Sequence, residues 1–563
     1  RPPRSTLFPY TTLFRSNAAT LKFGDDFTMT HDLTLGGTGA TIDVGADGSN
    51  TISGVIDGSK LTKTGGGTLL LEGTNNYTGD TEIDGGVLAV IRDVNFGASV
   101  NPGSIIIGNA TLRLDEDFTT ARNIHLTDAN STIDVVDDGF NMLDGVLSGT
   151  GALNKSGTGT LVLGGTNTYE GGTDIKSGIL QISKDGNLGK SDGGVQIATD
   201  AELQFSDAVT SSRNITLGTT GSIIDTVKDT STLSGVISGG ELHKTGAGTL
   251  VLSGTNTYDG GTFLGGGVIQ VSADGNLGKS TGALTFDGGT LQLGANLTTA
   301  RTVTINDAGG TIDTQSHTAT LSGSLSGDGG LTKLGTGTLV LTNSANAYKG
   351  GTSIEGGTLR LSGAGWITGN VANKGTLEFA SNTNHDFSGV ISGTGSVVQS
   401  GADSIITLSG ANTYSGGTSI TAGTLAISKD KNLGSGDLTI ANNSILQLTD
   451  SFAFSHAIAL DTGGTIDTGA NTDTIAGVIS GDGGLTKTGS GKLVLSGTNT
   501  YSDGTTIAAG SLQIEKDSNL GAATGSVTMA AGTTLELTTG VTMDRAFTLN
   551  GSATIQADDR TSH

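Results

Sequence analysis

Short runs in which apolar and polar residues alternate, each broken at Gly, Asn or Asp, fill this chain from residue 19 onward. Residues 485–521, LTKTGSGKLVLSGTNTYSDGTTIAAGSLQIEKDSNLG, hold the fullest version. Its core returns at Leu61, Leu153, Leu242 and Leu331 and, in weaker form, at Ser396. Alternation with a period of two over a few positions predicts short half-buried strands, and the residues between them predict corners. No single copy has an apolar face large enough to fold alone, so stacked copies must build the core. The expected fold is an all-β parallel β-helix, a β-solenoid. Each short strand pairs with the coils before and after it, and inward Leu, Ile and Val stack along the axis.

Tyrosine measures the repeat. Tyr77, Tyr169, Tyr258, Tyr348, Tyr414 and Tyr501 share one motif position, with separations of 92, 89, 90, 66 and 87 residues. Ninety residues divide into about four coils of roughly twenty-two, and the short irregular unit around 349–413 into about three, which predicts the loss of one whole coil. Three charged columns keep the same phase. One is Asp43, Asp134, Asp225, Asp313 and Asp467; a second is Arg122, Arg213, Arg301 and Arg545 with His456; a third is Lys63, Lys155, Lys244, Lys333 and Lys487, with Gln399 in the divergent copy. Members of one column recur about four coils apart, too far to form a charged ladder. Strand alternation puts Ile42 and Ile466 inward and leaves Asp43 and Asp467 facing water.

Composition narrows the class. Ninety-five glycines without a three-residue period exclude collagen, and β-branched residues held in phase argue against disorder. A formal charge of −24 repels nucleic acid and anionic membranes, so no nucleic-acid partner is expected. With no cysteine, disulfides, thiolate metal sites and cysteine nucleophiles are all excluded. The strands are shorter than the roughly nine to eleven residues that cross a bilayer, so this chain is expected not to insert into a membrane. Residues 1–16, RPPRSTLFPYTTLFRS, hold three of the four prolines and two near-copies of a Thr-Leu-Phe triplet. They read as non-native adapter sequence, leaving 17–563 as the repetitive part, a fragment at both ends.

Candidate chemistry is sparse. Asp185, Asp274, Asp430 and Asp517 each precede an asparagine by two residues, Asn187, Asn276, Asn432 and Asn519. One carboxylate and one amide fall short of a calcium shell, so these read as Asx turns, and no metal or cofactor is expected. Asp115, Glu116 and Asp117, with Asp137 and Asp138, are the densest carboxylates. Paired on adjacent coils they would suit a polysaccharide-cleaving β-helix enzyme, the runner-up reading; as solvated turns they carry no catalysis. The favoured assignment has no catalytic residue. Gly246 and Gly248 belong to a coil corner, lacking the strand-to-helix context of a phosphate loop. The six tyrosines read as structural, each ring capping a corner or packing below the next coil while its hydroxyl reaches backbone. Trp366, the only tryptophan, lies in the shortened unit near His385. It is a candidate binding spot, with a hydrophobic plug between unlike coils as the plainer alternative.

Residues 493–514, LVLSGTNTYSDGTTIAAGSLQI, closely resemble the passenger-associated repeats of bacterial autotransporters. The match recurs at 69–90, 161–182, 251–271, 339–361 and 406–427. It is carried by the six tyrosines, their following glycines and the later Leu-Gly turns at Leu188, Leu277, Leu433 and Leu520; Phe96 replaces Leu in the first such turn, and the Tyr348 unit lacks it. The resemblance implies a right-handed, single-stranded parallel β-helix displayed outside a Gram-negative outer membrane by type V secretion. It also implies a C-terminal membrane β-barrel translocator, here missing, through which the passenger is anchored or from which it is released. The implied function is a non-enzymatic, virulence-associated surface scaffold, adhesive or autoaggregating, with host or bacterial glycans or proteins as partners. Coils that fold progressively outside would disfavour backsliding through the pore.

Overall fold

The computed structural model describes residues 14–16 and 20–557 apart from 137, 442 and 539; of 14–16 it describes the backbone. The structure is all β, as the alternation predicts, with single 3₁₀ turns at Asp93–Phe96, Asp185–Leu188, Asp274–Leu277, Asp430–Asn432 and Asp517–Leu520. By its contacts the chain divides into two compact units, Arg1–Leu284 and Thr285–His563.

In the first unit, strands stack in parallel sheets whose neighbours come from successive coils, with no local hairpin among the described pairs. One sheet runs from Thr20–Phe23 through Ala40–Val44, Leu61–Thr64, Thr81–Ile83, Ile105–Ile107 and Ile124–Leu126 to Leu147–Ser148; a second runs from Phe27–Met29 to Ile237–Gly239. Inward positions alternate with outward ones, so Leu61, Leu69, Leu71, Ile83 and Leu88 are fully buried while outward neighbours such as Thr62, Leu70 and Glu82 are half-buried. Each buried Leu or Ile contributes about 1.5–3 kcal/mol of transfer free energy, and the parallel ladder pairs the backbone between them. Phe14–Ser16 runs parallel to Leu33–Leu35. The rest of the segment read as adapter lies outside the described residues.

The second unit is built alike, from Thr290–Leu293 to Thr554–Ala557. Its irregular stretch has two longer strands, Thr358–Gly363 and Thr376–Ser381, paired along their length.

The coil count differs from the one read off the tyrosine spacing. Pairing carries Leu61 to Thr81, Ile105, Ile124 and Leu147 in four steps of 19 to 24 residues. The next copy begins six residues later, at Leu153, on a different sheet. Four steps likewise carry Leu153 to Ile237, and Leu242 opens the following copy on a third sheet. A full repeat is therefore about four and a third coils of roughly twenty-one residues, and each copy turns onto the next face. In the second unit Leu331 reaches Ile391 in three steps before Ser396 begins a new copy on another sheet. The short repeat has three and a third coils, so the predicted loss of one whole coil holds. The fraction of a coil was missed because a spacing in sequence carries no information about face.

Candidate functional site: stacked corners and the Trp366 cluster

Each tyrosine motif occupies one face of its coil, and only at Ala347–Tyr348 does it form a strand there among the described residues. Tyr77 N and Asn76 N donate to Ile56 O on the coil below, and Ala98 N, after the Asp93–Phe96 turn, donates to Tyr77 O from above. Above that turn comes the strand Thr119–Thr120, followed by Arg122. A corner thus stacks three levels: tyrosine, Asp-Asn turn, basic residue.

The tyrosines are buried, and their hydroxyls meet the side chain of a threonine four residues on. The distance is 2.7 Å for Tyr77–Thr81 and Tyr169–Thr173 and 2.6 Å for Tyr348–Thr352, Tyr414–Thr418 and Tyr501–Thr505. The sequence predicts a backbone partner; Tyr77 keeps only a long one, 3.5 Å to Asn95 O. The glycine closing the turn lies against the ring. At Gly189, with φ 74°, a Cβ would sit 2.9 Å from two Tyr169 ring carbons, so no other residue fits.

In the turns, both ends of the asparagine side chain are used. Asn187 Oδ1 accepts from Ser183 N and Lys184 N at 3.0 Å, and Nδ2 donates to Gly165 O at 2.8 Å on the coil below. Asn95, Asn276, Asn432 and Asn519 repeat this pattern. The turn aspartates face the basic column. Arg122 Nε donates to Asp93 at 3.0 Å, Arg213 to Asp185 at 2.9 Å and Arg545 to Asp517 at 2.7 Å, while His456 Nδ1 lies 2.9 Å from Asp430. The same guanidinium groups cap the carbonyls that end the turn, as Arg213 does at Gly189 O and Gly193 O. These pairs are structural 3₁₀ turns rather than the expected Asx turns, because each asparagine reaches back to the amides three and four residues before it instead of forward by two, while Asp93, Asp185, Asp430 and Asp517 meet the basic column.

A column that the sequence reading passed over ties three coils together. It is the asparagine two residues before each tyrosine. Asn167 Oδ1 accepts from Leu147 N at 2.8 Å on the coil below, and its Nδ2 donates to Asn187 O on the coil above. Asn75, Asn256, Asn346, Asn412 and Asn499 do the same. Its signal was available in the recurrent Asn-x-Tyr spacing.

The lysine column is buried. Lys155 Nζ donates to Ser156 O and Gly157 O at 2.8 Å and to Ser177 O at 3.1 Å on the next coil. Lys63, Lys333 and Lys487 sit in matching cages. Gln399 replaces the ammonium with an amide that donates to Gly401 O at 3.0 Å. Burial lowers each of these lysines to a pKa of about 8, opposed by the neighbouring aspartate column: Asp43 at Lys63, Asp134 at Lys155, Asp313 at Lys333, Asp467 at Lys487.

In the short unit an aromatic stack stands where the ionic clamp would be. Asn346 Nδ2 donates to Trp366 O at 3.0 Å, which puts Trp366 at the turn asparagine's level. Its indole stacks on His385, with centroids 4.1 Å apart and 9° between planes, and rests against Phe379 and Phe387 at 5.6 and 5.9 Å. Both phenylalanines are buried, whereas Trp366 and His385 remain partly exposed. Burial holds the His385 pKa below its usual value, so the platform is neutral at pH 7.

The acidic candidates do not converge. Asp115 is held by Arg113 at 2.6 and 3.0 Å, Asp117 accepts from Phe140 N at 2.7 Å, and Glu116 is exposed. Asp138 is an exposed turn residue with φ 57°, and Asp137 lies outside the described residues. Among the described residues no group of three or more His, Cys, Asp or Glu is placed to hold a metal ion.

The passenger-associated-transport-repeat family profile matches residues 61–90, 153–182, 242–271, 331–361, 403–427 and 485–514. Each match but the fifth opens on the strand that carries the buried lysine, and all six include the tyrosine. Over 489 residues, 73% of this chain, the sequence is 33% identical to the adhesin BmaC autotransporter of Brucella suis biovar 1 (strain 1330). The chain is an autotransporter-like passenger array. It is also 28% identical over 333 residues, 58% of its length, to the uncharacterized lipoprotein YdeK of Escherichia coli (strain K12). The array spans 14% of the first relative and 21% of the second. Membership of the passenger family supports a location outside the cell or at its surface.

Proposed function

We propose that residues 17–563 form one adhesive segment of a surface-displayed passenger that a C-terminal membrane β-barrel anchors or releases. The observation that supports adhesion is the 33% identity to a relative named as an adhesin. The fold supports progressive secretion. Each coil pairs only with the coils about twenty residues before and after it, so a coil can fold as soon as it and its predecessor are outside. Coil-by-coil folding then opposes retrograde movement, with a Lys155-type cage and an Asn167-type bridge locking the coils about once per repeat.

Trp366 is the adhesive contact we propose in the second unit. Its neutral indole–imidazole stack is the partly exposed aromatic surface of the short repeat, and a flat apolar face suits a glycan ring or an apolar side chain. The test is display of the full-length protein on a Gram-negative cell, with host-cell binding and autoaggregation measured for native, Trp366→Ala and coil-deleted forms. We expect binding to persist without glycan cleavage, to drop severalfold with Trp366→Ala, and to vanish when a block of coils is removed. Unchanged binding after removal of every coil of this array would refute the adhesive reading.

A further inference from the structure

Outward positions are free to differ from copy to copy because they do not touch the core. One column shows this within the second sheet of the first unit. Register places Asn154, Asp174, Gln196, Thr216 and Ser238 side by side on five successive coils. At the matching places the preceding copy carries Thr62, Glu82, Ile106 and His125, and the copy from Leu485 carries Thr486, Thr506, Thr528 and Thr548. The glutamate is tied to Lys60 and Thr62. The Asn154 copy differs in presenting consecutive long polar groups, of which Asn154 Oδ1, Asp174 and Gln196 keep hydrogen-bonding capacity that the described residues do not fill.

Asn154, Asp174, Gln196 and Thr216 line a groove of about 460 Å³, walled by Asn130, Lys176 and Asn214 and by Gly171, Gly172 and Gly194, which leave its edge open. Asn154 is 4% exposed; its Nδ2 is spent on Ala129 O and Ser131 O, while its Oδ1 accepts no hydrogen bond within the described residues. Asp174 and Gln196 likewise make no side-chain hydrogen bond within the described residues. Burial raises the Asp174 pKa even with Lys176 beside it, as expected of a carboxylate with few partners. Coils spaced about 4.8 Å apart give Asn154 to Thr216 a span of about 14 Å.

We propose that this groove binds a linear, neutral, hydroxyl-rich oligosaccharide laid along the Asn154–Asp174–Gln196–Thr216 ladder. Hydroxyl groups supply both the donors that Asn154 Oδ1 and Asp174 need and the acceptors that Gln196 and Lys176 need. The adjacent carboxylate and ammonium balance, and the −24 charge of the chain disfavours an acidic polymer. A peptide is the poorer occupant: the strands here are paired on both sides, which blocks strand addition, and Val195 is turned into the core. The inference names a ligand class for the adhesive reading and depends on that reading for its biological use; the binding itself does not.

Purified full-length chain is titrated by calorimetry with maltose-series and cellulose-series oligosaccharides of two to six units, with oligogalacturonate and with an unrelated extended peptide. At least one neutral series is expected to bind, with affinity rising with length until the ladder is filled. The D174A/Q196A variant should lose at least tenfold, and T506A/T528A on the matching column should lose nothing. Failure of both neutral series, equal binding by the D174A/Q196A variant, or tighter binding of oligogalacturonate or peptide would overturn the assignment. Displayed cells that adhere equally well with D174A/Q196A would leave the adhesive reading standing and remove this groove from it.

Discussion

A buried lysine ammonium is the most demanding residue in this passenger array. At Lys155 three carbonyls replace water, and burial still lowers the pKa to about 8, against about 10.4 for lysine in an unfolded chain. Between those values the unfolded state binds more protons, so stability rises with pH. The tyrosines oppose this at higher pH. Burial raises their folded pKa, to about 12 at Tyr348 and Tyr501, so the unfolded chain ionises first and stability falls again above about pH 10. Urea unfolding from pH 7 to 11 should show the climb and the reversal, and Lys155→Met should flatten part of the climb. Asp473 gives a second test. It stands inward where other copies have Asn50, Asn141, Ser231 and Ala319; Oδ1 accepts from Phe452 N at 3.2 Å, and Oδ2 has no partner among the described residues. Burial, opposed by that N–H, pushes its pKa up to about 6. A raised carboxyl contributes stability that is present below the unfolded value near 4 and lost as pH rises through 6. Asp473→Asn should therefore unfold about 1 kcal/mol harder than the native chain at pH 7.5, with the gain gone at pH 4. An equal gain at both pH values would show that the carboxyl charge is not the cause.

At the scale of the element, the Asp185 and Asp430 turns are each completed by a side chain three strands later. Arg213 gives the Asp185 turn a paired carboxylate and capped carbonyls; His456 gives the Asp430 turn one contact to Asp430 and one to Gly434 O. Restoring the fork with His456→Arg should raise stability by about 1 kcal/mol, read as a higher melting temperature, because a planar guanidinium reaches carboxylate and carbonyls together. A lower melting temperature would mean that the short side chain is required there. The Trp366–His385 stack shows that the level tolerates another chemistry when the turn itself is absent.

Over the whole molecule, the unit of tolerance is the coil rather than the repeat. Leu153 pairs with Thr173, so removing residues 153–172 brings Thr173 into Leu153's place and keeps every later strand in register. Circular dichroism of that deletion should retain the β signal with a cooperative melt. Removing 163–172 alone should abolish it, because half a coil displaces all later core residues from their faces. The natural short repeat, with three pairing steps instead of four, already follows this rule.

What the sequence determined by itself was everything encoded at short range. Alternation at Leu485 or Leu61 names strand and inward face, Gly and Asn-x-Tyr name the corners, and the tyrosine intervals reveal one missing coil. The repeated motif was also enough to identify the passenger family. What waited for the tertiary structure was every relation one coil or more away. Steps of 19 to 24 residues decide which side chains stack, and they sum to a third of a coil beyond four, so copies of one motif fall on different faces. That sum brings Arg122 onto Asp93, closes the Lys155 cage with Ser177 O, and sets Asn154, Asp174, Gln196 and Thr216 in a row. No local pattern contains these contacts, because each depends on the exact lengths of corners that the alternation leaves free.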